Sequence, residues 1–169
     1  QDPTVDIVLR GIGTSVTPDV VIPVEGKVSD DYGVDLNWFD LLLDEKDPFE
    51  FPLQLVDGEK IDSRLDLREQ RNKNTELELN PGDRMTLTVR SSDFFNLDGS
   101  PNVGSSSQYT LDVVTPDQLL SVLERRELAL RQRFELIFDE MIALRDSLDR
   151  VAKDANGGTN SEAGREPED

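Results

Sequence analysis

The residues best placed to do chemistry lie in one segment, Asp93-Phe94-Phe95-Asn96-Leu97-Asp98-Gly99. Asp93, Asn96 and Asp98 set oxygen-bearing side chains beside a Gly turn, and Asp30-Asp31 supplies two more carboxylates in a separate loop. Calcium is the cation such a set could hold, because it takes about six to eight oxygens in a flexible cage. The segment falls short of full calcium-loop spacing and lacks the late bidentate Glu. Asn, Asp and Gly are also the standard residues of turns, through local hydrogen bonds and tolerance of left-handed backbone. A plain connecting loop is the competing expectation.

Other chemistry finds less support. The chain has no His and no Cys, which removes the commonest general base, the commonest zinc ligand and any thiolate or disulfide. Gly11-Ile12-Gly13 lacks the Lys-Ser/Thr and the helix that a phosphate loop needs, and is expected to bend the first strand. Glycoside hydrolysis needs two carboxylates about 5–10 Å apart, and nothing singles out a pair among so many acids. Tyr32, Phe94 and Phe95 could stack on a sugar, with buried or loop-anchoring roles as the alternative. The expectation is a protein that is not an enzyme and carries no cofactor other than the optional calcium.

The charge balance bears on partners. Across 169 residues, 18 Lys and Arg stand against 36 Asp and Glu, a formal net of −18. Residues 1–116 hold 10 basic and 23 acidic side chains, whereas 117–152 hold 6 and 8. An acidic body repels phosphate backbones and anionic lipid, so nucleic acid and acidic membrane surfaces are poor partners. No apolar run approaches the ~18 residues of a membrane-spanning helix, so no membrane insertion is expected. A chain opening on Gln1 rather than Met is expected to be a processed or excised piece of something longer.

Up to residue 115, apolar and polar residues alternate with period two and turn residues intervene, the pattern of half-buried strands. Runs cover Val5–Ile12, Val20–Val28 and Val34–Leu43, the last with the single Trp, Trp38. Phe49, Phe51, Leu53 and Leu55 alternate with polar residues or Pro; after Asp57-Gly58, Ile61, Leu65 and Leu67 fall to one side. Asp-Gly readily supplies the positive φ values of a tight turn, so these two runs are expected to pair as a hairpin. Pro52 lacks an N–H and predicts an edge strand. Met85, Leu87 and Val89 form a further run, and Tyr109, Leu111 and Val113 another. Seven or eight such strands without a helical period predict an antiparallel β-sandwich over 1–115.

Two segments carry a resemblance. In Leu79–Asp93, L-N-P-G-D-R-M-T-L-T-V-R-S-S-D, a Pro-Gly-Asp turn leads into an alternating strand, followed by a loop and a last strand. That order resembles the end of bacterial immunoglobulin-like and fibronectin-type modules. V-E-G-K-V-S-D-D-Y-G (Val24–Gly33) and Trp38 resemble their second and third strands. The disulfide pair of antibody domains is missing, and Met85 and Leu87 occupy the strand where those domains place a corner Tyr. The resemblance covers about residues 5–115 and implies an immunoglobulin-like sandwich.

The helix that follows announces itself at Thr115-Pro116-Asp117-Gln118. Thr at the N-cap with Gln three residues on fits a capping box, and Val114 with Leu119 fits a hydrophobic staple. Pro116 falls where its missing N–H costs nothing, and Asp117 suits the positive end of the helix dipole. A helix is predicted over 116–153, a rod of roughly 55 Å, ended by Asn156-Gly157-Gly158. Residues 154–169 read as an acidic, flexible tail or linker. Leu120, Leu123, Leu130, Phe134, Ile137, Met141, Leu144, Leu148 and Val151 recur at alternating spacings of three and four, with one polar gap at Glu127. Such a heptad seam predicts coiled-coil pairing; a single amphipathic helix lying on its own sandwich is the alternative. In a parallel pair Arg126 would face Arg131 unfavourably and Glu140 would face Arg145 favourably. Leu119, Leu128, Leu136, Phe138 and Ile142 lie off the seam. They point to an antiparallel arrangement, to more than two helices, or to a seam shared with further chain.

S-D-D-Y-G, L-N-P-G-D and E-R-R-E-L-A-L-R-Q-R-F-E-L-I (Glu124–Ile137), in this order, are similar to segments of large uncharacterised envelope proteins of planctomycete-type bacteria. The similarity implies an extracytoplasmic, membrane-anchored parent without known catalysis. The functional expectation is a non-catalytic structural or interaction module. Its sandwich would act as spacer or adhesive unit, and residues 116–153 would bind protein, either another copy or neighbouring helices of the parent. The alternative is a calcium- or carbohydrate-binding sandwich with the helix as a stalk.

Overall fold

Val5, Ile7 and Leu9 fall on one side of the first strand, β1 (Thr4–Leu9), and are buried while their neighbours face solvent. The same alternation organises the rest of the β region in the computed structural model, which describes residues 2–31, 33–44, 47–94 and 101–157. The fold is mainly β, with two sheets and one long C-terminal helix. Among the described residues the strands are β1, β2 (Ser15–Val16), β3 (Val21–Ser29), β4 (Val34–Leu43), β5 (Phe49–Pro52), β6 (Lys60–Asp66), β7 (Arg84–Asp93), β8 (Val103–Ser105) and β9 (Tyr109–Val113). A short helix, α1 (Leu67–Lys73), follows β6, and the long helix is α2 (Pro116–Gly157).

The smaller sheet has the order β1-β3-β6, and the larger runs β2-β9-β7-β4-β5 with β8 also paired to β7. Their apolar faces enter one core. Ile22, Val24 and Val28 of β3 and Ile61 and Leu65 of β6 share it with Phe39 and Leu41 of β4 and with Met85, Leu87 and Val89 of β7. Each fully buried side chain of this kind stabilises by roughly 1.5–3 kcal/mol. The Tyr109 hydroxyl on β9 also donates to the Ile7 carbonyl on β1 at 2.7 Å, tying the two sheets together directly.

Four expectations need correction. The hairpin between the Phe49 and Ile61 runs does not form: β5 pairs with β4 in the larger sheet, while β6 pairs with β3 in the smaller. The Asp57-Gly58 turn is present, with φ of 54° and 77°, but it closes only the bridge between Val56 and Lys60. Turn residues dictate a local reversal, whereas the buried Phe51 and Ile61 find different sheets around the shared core. Pro52 does sit on an edge strand, β5.

A helical turn also interrupts the strands. Asp66 caps α1 by accepting from the Glu69 amide at 3.0 Å, and Lys73 pairs with Glu69 one turn back. Seven residues are too few to show a helical period, but the Asp66-Leu67-Arg68-Glu69 cap was the available signal. The ladders are not uniformly antiparallel either: β2 runs parallel to β9. Its two residues carry only Val16 as an apolar cue, too little to declare a direction. Finally, α2 extends to Gly157 rather than ending at 153, since polar residues such as Asp154 do not break a helix until glycines accumulate.

Gly26 sits mid-strand in β3, opposite Ile7 of β1 and Ile61 of β6. A methyl group there would collide with the Asp6 carbonyl. Gly26→Ala is therefore expected to destabilise the β unit by about 1–3 kcal/mol, as overpacking does, read as a lower midpoint in urea unfolding.

Candidate functional site

The chain divides into two compact units, Gln1–Leu120 and Ser121–Asp169, the cut falling one turn into α2. In the first unit the helix start is tied down. The Val114 amide donates to the Val16 carbonyl. The Thr115 amide donates to Gln118 Oε1 at 3.0 Å, and the Gln118 amide donates to Thr115 Oγ1 at 3.2 Å. These reciprocal bonds satisfy backbone donors that a helix start otherwise leaves open.

Beyond that first turn the apolar side chains are turned to solvent. Leu123, Leu130, Phe134, Ile137, Met141, Leu144, Leu148 and Val151 are all exposed, from 46% at Ile137 to 69% at Phe134. Leu120, in the first turn, is exposed as well. Off the seam, Leu128, Leu136 and Phe138 are more than half exposed, and Ile142 is 37% exposed. Isolated exposed leucines are ordinary, whereas large contiguous apolar patches are uncommon on the surface of monomeric proteins. Leu130 and Phe134 line a shallow hollow together with Glu127, Arg131 and Glu135. Glu127, the polar gap in the seam, pairs with Arg131 of its own helix at 2.7 Å.

Of the calcium candidates, Asp93 ends β7 and is buried, while Asn96 and Asp98 lie outside the described residues. Both Asp93 carboxylate oxygens accept from Asn102: Oδ1 from its backbone amide at 3.0 Å and Oδ2 from its side-chain amide at 2.8 Å. The Asp93 amide in turn donates to the Asn102 carbonyl. Asp93 thus pins the return of the loop to the end of its strand. Asp30 and Asp31 border an open depression with Asp2, Thr4 and Ser29. Among the described residues no three His, Cys, Asp or Glu side chains gather closely enough to hold a metal ion. Phe94 is exposed beside Gly33, while Tyr32 and Phe95 lie outside the described residues. Gly11 takes φ 70° just after β1 ends at Leu9.

One cluster was invisible in the sequence. Asp40 on β4 is buried and pairs with Arg90 on β7 at 2.7 Å, beside Thr86, Thr88 and Gln108 in a small surface cleft. Trp38 shares that side of β4, alternating with core-facing Phe39 and Leu41, and is opposite Arg90 in register. Only the pairing of β4 with β7 brings Asp40 and Arg90 together; their separation along the chain carries no signal. The pair stays on the outer face of the larger sheet, where it anchors two strands. No protein-family model, curated protein or solved structure matches the chain.

Asp93→Ala would leave the Asn102 donors without their acceptor. It is expected to cost about 1–3 kcal/mol in calcium-free buffer, with earlier exchange of the Asn102 amide in a hydrogen-exchange time course.

Proposed function

We propose that the chain is a non-catalytic structural and interaction module of a larger extracytoplasmic protein. Its two sheets act as an immunoglobulin-like sandwich serving as spacer or adhesive unit, and α2 drives assembly with other helices. The observation that carries this reading is the exposed apolar seam from Leu120 to Val151, whose residues recur at heptad spacing and are all in water in the single chain. Burying such side chains against a partner helix is worth about 0.8 kcal/mol per CH₂ group, and the alternating spacing matches knobs-into-holes packing. The balanced charge of the helix supports the same view, since the acidic body would oppose close association and the helix would not. The immunoglobulin-like and extracytoplasmic parts of the proposal draw on the sequence resemblance of residues 5–115 and of Glu124–Ile137.

The test is the mass of the full chain in solution. Multi-angle light scattering is expected to show an oligomer, and Ile137→Asp with Leu144→Asp is expected to reduce it to monomer. Neither residue belongs to the core of the β unit, so the melting of that unit should stay within a degree or two. A wild-type chain that remains monomeric at high concentration sinks the assembly proposal.

A further inference from the structure

Resting on the assembly reading above, we infer that the occupant of the α2 seam is α2 of a second copy, lying antiparallel and centred between Glu135 and Leu136. The distribution of flanking charge carries this. On one flank of the seam, Arg126 and Arg133 lie in the first half of the helix and Glu140 in the second. On the other flank, Glu124 lies in the first half and Arg145 in the second, with Arg131 and Phe138 between. Each flank therefore reverses sign along its length.

A parallel pair sets one flank against the other with a five-residue offset, so Arg126 meets Arg131 and Arg133 meets Phe138, and only Glu140 with Arg145 is favourable. Turning one helix around sets each flank against its own copy. Arg133 then meets Glu140, Glu124 meets Arg145, and Arg131 meets the Phe138 ring, each contact occurring twice by symmetry. The nearest flank pairs of the antiparallel arrangement include no like charges, and flank charges are the usual determinant of helix orientation. Among the described residues, Glu124, Arg133 and Glu140 enter no ion pair, while Arg131 and Arg145 pair at the exposed surface with Glu127 and Asp146 of their own helix.

The seam agrees. Antiparallel pairing stacks Leu123 on Leu148, Leu130 on Met141 and Phe134 on Ile137. Glu127 then falls opposite Leu144 and beside Arg145 of the other copy, in addition to its own Arg131. A polar seam residue so placed resists any slip of register, because a shift would strand it among apolar side chains.

The absence of cysteine makes the test direct. Full-length Leu123→Cys and Leu148→Cys chains are oxidised separately and as an equimolar mixture, alongside light scattering of the wild type. The antiparallel pair yields a disulfide between the two variants in the mixture and little within either alone, since the two positions lie about 37 Å apart along a helix. Homodisulfides from each variant alone overturn the orientation while leaving self-association standing. A scattering oligomer without any disulfide overturns the register. A monomeric wild type overturns both this inference and the assembly proposal. Independently, Arg133→Glu is expected to weaken dimerisation roughly tenfold, and adding Glu140→Arg to restore it. A parallel pair, in which Arg133 faces Phe138, would show no such rescue.

Discussion

Phe39, Leu41 and Leu43 on β4 and Met85, Leu87 and Val89 on β7 are buried side by side along one antiparallel ladder. They belong to the same core as the inward residues of β1, β3 and β6. The β unit depends on this burial. β4 and β7 form the middle of the larger sheet, so β5, β8 and β9 are placed by pairing onto a surface already held by the core. Directional polar links such as Tyr109 to Ile7, Asp40 to Arg90 and Asp93 to Asn102 join residues brought together by this burial. They select one arrangement of strands and loop ends within a structure whose stability comes from apolar burial.

At Thr115 the chain reverses its relation to water. Before it, apolar residues alternate and are buried; beyond the first turn of α2 they recur every three or four residues and are exposed. The helix is nonetheless well specified locally, by its reciprocal cap and by a long interior free of Gly and Pro. Local propensity and capping stabilise a helix but supply no reason to hold so many leucines in solvent. That conflict between local stability and exposed apolar surface is what the proposed pairing with a second helix would resolve, and the sign reversal along each flank of the seam is what would give that helix a direction.

The acidic residues illustrate how the surroundings of a carboxylate set its structural role. Asp93, read in the sequence as a candidate cation ligand with Asn96 and Asp98, has a carboxylate that accepts from Asn102 at two points. Asp40 looks like one more surface acid in an acidic chain, yet it is buried against Arg90. A carboxylate taken from water needs strong donors in return, and in both places those donors are supplied by a neighbouring strand or loop.

The elements of this protein were largely legible one at a time. Period-two runs marked β1, β3, β4, β7 and β9, Pro52 marked an edge, and Thr115-Pro116-Asp117-Gln118 marked the start of α2, because each of these depends on side chains within a few residues of one another. The sheet to which each strand belongs was not legible. Asp57-Gly58 makes the same turn whether the flanking strands pair or part, the parallel contact of β2 with β9 spans nearly the whole β region, and Asp40 meets Arg90 only through the β4–β7 register. Such pairings are chosen by which apolar faces can be buried together, and that is a property of the assembled core rather than of any local stretch of chain. Local sequence thus determined the strands, their inward faces and the helix with its apolar seam, while the tertiary structure alone decided how the strands are shared between sheets and which carboxylates are taken out of water.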